Sequence, residues 1–438
     1  MEQHIIIVGT TPDYTVRIQR EERAEYLTFL LDLKYEGHPG LEASENSCHV
    51  FADLGDCSVS LNKLEEYLSS FTCRVCFACF DCEALYLASR LAEHFNCPFP
   101  APSPVLKSRN KFLSGRIWRD RGVNAPGCGL ASGLSDSLEL FYRYNENAVL
   151  KPVTGSGSEL VFHCREEAHI REAVETMESQ LEKRRDNPLF SLIMDPVSKE
   201  MIDPCRSWVV SEFISGTEYS CDFFMDGDSI HIIRETEKIK DSRYPLGTVS
   251  GYLIPPSYTG AFTRHDVKTA MKKAADSLGF SRGYFMADFI ISGNSISMIE
   301  ITPRPGGDSL PDLVRAACGH DILSIYLDIM SFKPFLPENL PEPAGNFAGI
   351  HFYSDRKGVI ADIDTQEIIN DHRTRLLLMK KKKGDSVSLP PDDYDNRQFG
   401  YCVVSLEGNE SPLEICREFQ NKINVSFAPE DLNETRIC

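Results

Sequence analysis

The sequence predicts an α/β fold in several domains, and three observations carry that prediction. Short apolar runs alternate with helical patterns over the first hundred residues, as in a small open α/β sheet. Two proline-rich stretches, residues 96–104 and 332–346, divide the chain. Between them, two alternating apolar runs flank a Gly-Asn turn, the pattern of a β-hairpin. At 438 residues the chain is too long for one small domain and long enough for about three.

Composition is that of an ordinary soluble protein. The net charge of −19 argues against a non-specific nucleic-acid or anionic-membrane binder, although a nucleotide pocket needs only local lysines. No apolar run reaches the ~20 residues of a membrane helix, so no membrane association is expected. Residues 1–9 lack a basic leader region and a cleavage site. Fifteen cysteines without a secretory signal point to reduced thiols and a cytoplasmic protein.

In chain order, Ile5 to Val8 is a buried strand and Arg20 to Lys34 a helical pattern. His49 to Leu54 is a second strand, Ser60 to Ser69 a helix, Val75 to Phe80 a third strand and Glu83 to Phe95 a helix. Gly9 is followed by Thr-Thr-Pro-Asp, so the dinucleotide fingerprint is missing. Cys73, Cys76, Cys79 and Cys82 have the spacing of an iron–sulfur run, but a strand would send them to opposite faces. They read as core.

Past the first proline-rich stretch, a strand at 148–151 delivers Lys151 to a Gly155-Ser-Gly-Ser158 loop. Backbone N–H groups of such a loop can line up on phosphate oxygens. The loop is neither a Walker loop nor a kinase glycine loop. Glu166 to Arg185 is a charged helix, residues 186–206 a polar loop insertion, and 223–235 a hairpin turning at Asp226-Gly227. Thr263 to Leu278 is an amphipathic helix, and Pro311 to Met330 a helix broken near Gly319. The tail has strands at 348–353 and near Thr374 and Tyr401, with a closing helix from Ser411 to Lys422. Lys380 to Lys383 reads as a solvated turn.

The hairpin at 283–308 is the most informative stretch. Met286, Asp288 and Ile290 share one strand face, and Met298, Glu300, Thr302 and Arg304 share one on the return strand. A three-residue turn at Gly293 to Ser295 puts Asp288 opposite Glu300. Like charges so placed need a partner, and a divalent cation with oxygen ligands, Mg²⁺ above all, is the simplest. Arg304 adds a fork-shaped cation, and Gly306 and Gly307 let the backbone approach a ligand.

The run Glu300-Ile-Thr-Pro-Arg-Pro-Gly-Gly307 resembles the metal-binding strand of ATP-grasp ligases, usually Glu-Ile-Asn-Pro-Arg followed by Gly-Gly. Asp288 stands where that family has Glu, and Thr302 where it has Asn. The passage from Lys111 to Gly-Val-Asn-Ala-Pro126 resembles the family's entry, Lys151 with its Gly/Ser loop resembles the strand lysine and lid, and 207–222 resembles the hinge strand. The resemblance implies an α+β ATP-grasp architecture: an N-terminal open α/β domain (1–104), a lid subdomain (105–210), a catalytic subdomain (211–334) and a mainly-β C-terminal domain (335–438).

It further implies that Lys111, Lys151, Gly155, Ser156, Gly157 and Ser158 hold the phosphates of ATP. Backbone groups of Glu212, Phe213 and Ile214 would pair with adenine, and Glu218 would accept from the ribose hydroxyls. Asp288, Glu300 and Thr302 would bind Mg²⁺, or Mn²⁺ in its place. Arg304, Gly306 and Gly307 would steady the substrate carboxylate and the later oxyanion. The amino-acid-ligase branch places a Glu and a His where this chain reads Thr248-Val-Ser-Gly-Tyr252. Lys238 and Arg243 make that loop cationic and suited to an acidic substrate. The implied activity is ADP-forming ligation of a small carboxylic acid to an amine through an acyl phosphate, with no nucleic acid involved and a homodimer allowed. A non-catalytic ATP-binding protein of the same fold, or an ATP-grasp carboxylase or phosphoryl-transfer enzyme, is the alternative.

Overall fold

A parallel sheet forms the N-terminal region, in order β3-β2-β1-β4. Its elements are β1 (Gln3–Val8), α1 (Pro12–Gln19), β2 (Tyr26–Asp32), β3 (Ser47–Ala52), α2 (Cys57–Leu68), β4 (Arg74–Ala78) and α3 (Leu85–His94). The computed structural model describes residues 3–21, 23–258, 262–334, 340–408 and 410–429. Residues 335–339 of the second proline-rich stretch, and the first two of the chain, lie outside the described residues. No helix among the described residues is long and apolar enough to cross a membrane.

One expected helix is a strand. Residues 26–32, inside the helical pattern expected from Arg20 to Lys34, form β2 in the middle of the sheet. A parallel strand is covered on both faces, so Leu27, Phe29, Leu30 and Leu31 are all buried and the run shows no alternation. The helix lies earlier, at α1, where Thr11 caps the Tyr14 N–H and Pro12 occupies the first turn. The cysteine run does not converge: Cys76 packs with Ile5 and Ile7 in one layer, and Cys79 with Ile6 and Val8 in the opposite one.

Helices α4 (Pro102–Arg109) and α5 (Lys111–Asp120) lead into an antiparallel lid sheet of order β5-β10-β6-β7. It comprises β5 (Cys128–Ala131), α6 (Leu134–Arg143), β6 (Ala148–Pro152), β7 (Phe162–Cys164), α7 (Glu167–Leu181) and, after an insertion, β10 (Trp208–Glu212). The insertion, expected as a loop, carries a two-stranded ribbon, β8 (Ile193–Met194) with β9 (Met201–Ile202). Arg116 on α5 holds it by two 2.7 Å bonds to the buried Asp195 carboxylate. Because β10 pairs with β5 and β6 as far as residue 212, the boundary expected after residue 210 falls inside a strand of the lid.

The rest is built on one eight-stranded sheet, β15-β14-β11-β12-β13-β16-β20-β18. Its first part consists of β11 (Thr217–Asp226), β12 (Ser229–Ile239), β13 (Gly251–Ile254), α8 (Arg264–Leu278), β14 (Arg282–Ser292), β15 (Ser295–Thr302), α9 (Leu310–Cys318) and α10 (Ile322–Met330). The second part consists of β16 (Phe347–Tyr353), β17 (Gly358–Asp364), α11 (Gln366–Ile369), β18 (Thr374–Met379), β19 (Ser386–Val387), β20 (Gln398–Ser405), α12 (Pro412–Asn421) and β21 (Asn424–Phe427), with β17, β19 and β21 in a small separate sheet. The C-terminal region is therefore joined by backbone bonds to the sheet that contains β14 and β15. β16 covers the edge of β13, pairing Gly251 with Ile350 and Leu253 with Ala348.

The β14–β15 register is reached by a different route from the one the sequence suggests. The turn is the two residues Gly293 and Asn294, since Ser292 pairs with Ser295. A bulge then leaves Ile299 unpaired, with Phe289 opposite Met298 and Asp288 opposite Glu300. The bulge also separates the faces. Met298 is core at 1% exposure, whereas Glu300 reaches the cavity.

At the centre of the sheet lies a wholly buried ion pair. Asp222 on β11 and Arg234 on β12 meet at 2.7 Å, both side chains at 0% exposure. Arg234 also donates to Ser220 O at 3.2 Å and to Thr236 Oγ1 at 2.9 Å. The second Asp222 oxygen accepts from Tyr284 Oη and from the Gly306 N–H, each at 3.0 Å. Removing one partner of such a pair leaves an uncompensated buried charge and costs about 3–5 kcal/mol. Asp222→Asn should lower unfolding stability by that order in denaturant titration, while an exchange on the exposed face of α7, such as Glu178→Gln, should change it by less than about 0.5 kcal/mol.

Candidate active site

The lid, the eight-stranded sheet and the N-terminal domain enclose a cavity of about 640 Å³. At one end, Asn110 caps α5 by accepting from the Phe112 and Leu113 N–H groups, and so fixes Lys111 at the helix start. Lys111 Nζ donates to Gly155 O at 3.0 Å and lies 3.8 Å from Glu300 Oε2. Lys151, paired with Val209 in the lid sheet, lines the same end. Burial, and then the like charge of Lys111, disfavour its ammonium form and lower its pKa.

The Gly155 to Ser158 loop caps this end. Gly157 has φ +63°, and an added Cβ would sit 3.3 Å from Asp395 Oδ1. The loop tip thus closes against the C-terminal region. At the hinge, the Glu212 N–H donates to Gly127 O at 2.8 Å and the Phe213 N–H to Asn147 O at 3.1 Å. The Ile214 N–H has no partner among the described residues, and all three residues line the cavity. Phe213 stacks flat on His163, ring centres 3.9 Å apart.

Several expected roles change. Glu218 is not free to accept from a ribose: its carboxylate is bound by Lys238 Nζ at 2.7 Å and also by Lys240. Burial alone would raise its pKa, but the two ammonium groups hold it low. Lys238 is not a loop residue. It sits on β12 with its side chain 8% exposed, and also bonds Asp288 Oδ2 at 2.7 Å. Arg243 lies outside the cavity, bound to Asp241 and Gln420. Thr302 is buried and does not line the cavity; it donates to Glu300 Oε1 at 3.2 Å and so orients that carboxylate.

Asp288 Oδ1 is buried with no hydrogen-bond partner, and Glu300 stands opposite. An orphaned carboxylate oxygen beside a second carboxylate, on two residues that line the cavity with the lysines, suits Mg²⁺, which takes one or two carboxylates and leaves the remaining positions for water and phosphate. The residues present therefore fit a metal held by Asp288 and Glu300, without Thr302. No group of three or more metal-binding side chains occurs among the described residues.

Arg304 follows the end of β15, and its guanidinium donates to Cys82 Sγ at 3.0 Å and to Pro305 O at 2.8 Å. Gly306 is not a free donor: its N–H is bound to Asp222, and a Cβ there would collide with Arg234 Nη2. Glycine is required at 306 for packing. Gly307 lines the cavity, and an added Cβ there would meet Arg304 Nη1 at an ordinary contact distance of 3.9 Å.

The sequence gives no local signal for the opposite wall. Asp308, in the left-handed region at φ 55°, lies 3.1 Å from His351 Nε2 and 2.9 Å from Lys380 Nζ, and accepts from Gln398 at 3.2 Å. Lys380, expected as part of a solvated turn, faces the cavity instead. His351 also meets Ser309 Oγ and the Val249 carbonyl, each at 2.8 Å. Only its position on an otherwise apolar strand, between Ile350 and Phe352, marks it out in the sequence. Burial alone would raise the Asp308 carboxyl, yet His351 and Lys380 hold it at about 2. A depressed carboxylate contributes stability above its unfolded value of about 3.9, and that stability is lost as pH falls toward the folded value. Asp308→Asn should therefore flatten the decline of unfolding stability between about pH 5 and pH 3, measured by denaturant titration across that range.

Comparison with known proteins places these features. Residues 144–312 match the family described as ATP-grasp domain. Carnosine synthase 1 of Mus musculus is 22% identical over 355 residues, covering 78% of this chain and 40% of its own length, so the match spans well under half of that relative. The crystal structure of an L-amino acid ligase from Bacillus licheniformis superposes with a TM-score of 0.75 at 17% identity, covering 98% of this chain and 99% of its own. The biotin carboxylase domain of the Hydrogenobacter thermophilus 2-oxoglutarate carboxylase, solved with MgADP and bicarbonate, has a TM-score of 0.65 at 13% identity over 96% of this chain and 90% of its own. The cavity thus lies between the lid and the eight-stranded sheet of an ATP-grasp fold, and residues 144–312 are the part of the chain that matches the ATP-grasp domain.

Proposed function

We propose that the chain is an ATP-dependent carboxylate–amine ligase, forming an amide or peptide bond with release of ADP and phosphate. One observation carries the reading. A single cavity gathers two lysines at the end capped by the Gly155 to Ser158 loop, an opposed pair of carboxylates with one oxygen unsatisfied, and the Arg304 guanidinium with no carboxylate partner among the described residues. Relatives and neighbours named as a carnosine synthase, a dapdiamide A synthase and an L-amino acid ligase support it.

In this reading the adenine edge takes the Ile214 N–H, and Lys111, Lys151 and the Gly155 to Ser158 loop hold the phosphates. Asp288 and Glu300 hold Mg²⁺, which neutralises phosphate charge when bound. Arg304 orients the substrate carboxylate. An oxygen of that carboxylate attacks the γ-phosphorus, the bond to the bridging oxygen breaks, and ADP leaves. The amine nitrogen then attacks the acyl carbon, phosphate departs with the bonding pair, and the amine proton is lost, with Asp308 and Asp395 lining that side. The Gly307 N–H is the backbone donor placed for the oxyanion. The closed lid keeps water from the acyl phosphate. Free thiols among the described cysteines support a reducing, cytoplasmic setting.

Steady-state ADP release over a panel of acids and amines, with mass spectrometry of the products, tests the reading. Glu300→Gln should abolish turnover with the fold intact. Arg304→Met should lower kcat by about 10²–10³ while changing the Kd of ATP by less than about tenfold, and Arg304→Lys should recover only part of the loss. Tight ATP binding with no ADP release from any acid–amine pair would favour a non-catalytic nucleotide-binding protein instead.

A further inference from the structure

Seven cationic side chains line the cavity: Lys111, Lys151, Lys238, Lys240, Arg304, Lys380 and Arg397. Those of Lys238, Lys240 and Lys380 are neutralised by Glu218, Asp288 and Asp308. Lys111 and Lys151 stand at the nucleotide end. That leaves two guanidinium groups without a carboxylate partner among the described residues. Arg304 is accounted for by the reaction proposed above. Arg397 is not.

Arg397 precedes β20 and is 6% exposed. Its Nε donates to Tyr394 O at 3.3 Å and its Nη2 to Thr248 Oγ1 at 2.7 Å. Its guanidinium carbon lies 4.9 Å from the centre of the Tyr353 ring. A guanidinium carries five N–H donors, and the others, including both on Nη1, have no partner among the described residues. Two neutral acceptors and an aromatic face fix its plane without cancelling its charge. A desolvated cation so placed is costly unless an anion completes it, and the fork geometry favours a carboxylate. Two carboxylates, Asp308 and Asp395, line the same region of the cavity. Asp308 is already bound by His351 and Lys380, so Arg397 with Asp395 is the combination that complements a molecule carrying both a carboxylate and an amine.

We propose that Arg397 anchors a second carboxylate, one that is not activated, and that it belongs to the amine co-substrate, which is therefore an amino acid. The inference rests on the ligase reading for the word co-substrate; the binding site itself does not. Arg397 fixes the carboxylate, Asp395 draws the amino group toward the acyl carbon, and the lid end of the cavity stays with the nucleotide.

The test is equilibrium binding rather than turnover. Calorimetry uses the full chain with Mg²⁺ and a non-hydrolysable ATP analogue. The probes are the common amino acids, their carboxamides, and mono- and dicarboxylic acids lacking an amine. Wild type should bind at least one amino acid at least tenfold more tightly than its carboxamide. Arg397→Gln should lose that preference with the Kd of the analogue changed less than twofold, and Arg397→Lys should recover part of it. Thr248→Val, which removes a hydrogen bond and keeps the charge, should retain it. A preference shown only by dicarboxylic over monocarboxylic acids would keep the carboxylate anchor and move it to the acid substrate, overturning the assignment to the amine. The anchor falls if wild type binds no probe, if carboxylates and carboxamides bind alike, if Thr248→Val reproduces Arg397→Gln, or if Arg397→Gln weakens the nucleotide analogue equally. Carboxylate-selective binding with no ADP release from any pair would reject the ligase reading and leave the Arg397 site standing.

Discussion

The structure depends on the buried pair of Asp222 and Arg234. It ties three pieces that are distant in the chain: β11, β12 and the turn after β15 that carries Arg304, Gly306 and Gly307. A charge pair with no exposure is poor at stabilising a fold compared with apolar packing, because both ions lose their hydration. It is strong at specifying one arrangement, since every alternative leaves a charge unmatched. Here Asp222 fixes the Gly306 backbone, Arg234 occupies the space a side chain at 306 would need, and Arg304 and Gly307 are placed in the cavity as a result. Of the two adjacent glycines, Gly306 is thus structural, and Gly307 faces the cavity.

The same economy governs the carboxylates. Asp288 uses its oxygens unequally: Oδ2 is bonded to Lys238 at 2.7 Å and Oδ1 is buried with no hydrogen-bond partner. Lys238 holds Glu218 as well, so the acid expected to greet a ribose instead positions the lysine that positions Asp288. Glu300 is oriented in turn by Thr302.

Much of this was legible in the sequence where the signal was local. The Glu300 to Gly307 run, Lys111 after its Asn110 cap, and Lys151 before the Gly/Ser loop lie on the elements their patterns suggest. The facing of Asp288 and Glu300 was reached through the wrong turn: a bulge at Ile299 supplies the residue that a longer turn would have supplied, and alternation alone cannot tell the two apart. β2 carries a helix-like pattern in the sequence because burial on both faces erases period-two alternation. Asp308, His351, Lys380 and Arg397 were invisible as a group, because they are up to 89 residues apart and meet only through sheet pairing and loops.

The continuity of the eight-stranded sheet bears on which parts of the molecule can move. Backbone pairing runs unbroken from β15, which carries Glu300, across to β20, which begins beside Arg397. Those two walls form one plate and should keep their spacing through a catalytic cycle. The lid sheet shares no strand with that plate and joins it through the short link 213–216 between β10 and β11. Any opening of the lid would therefore turn at that link. Lys151 lies on the lid side of that link and Glu300 on the plate side, so such a turn would change the distance between them.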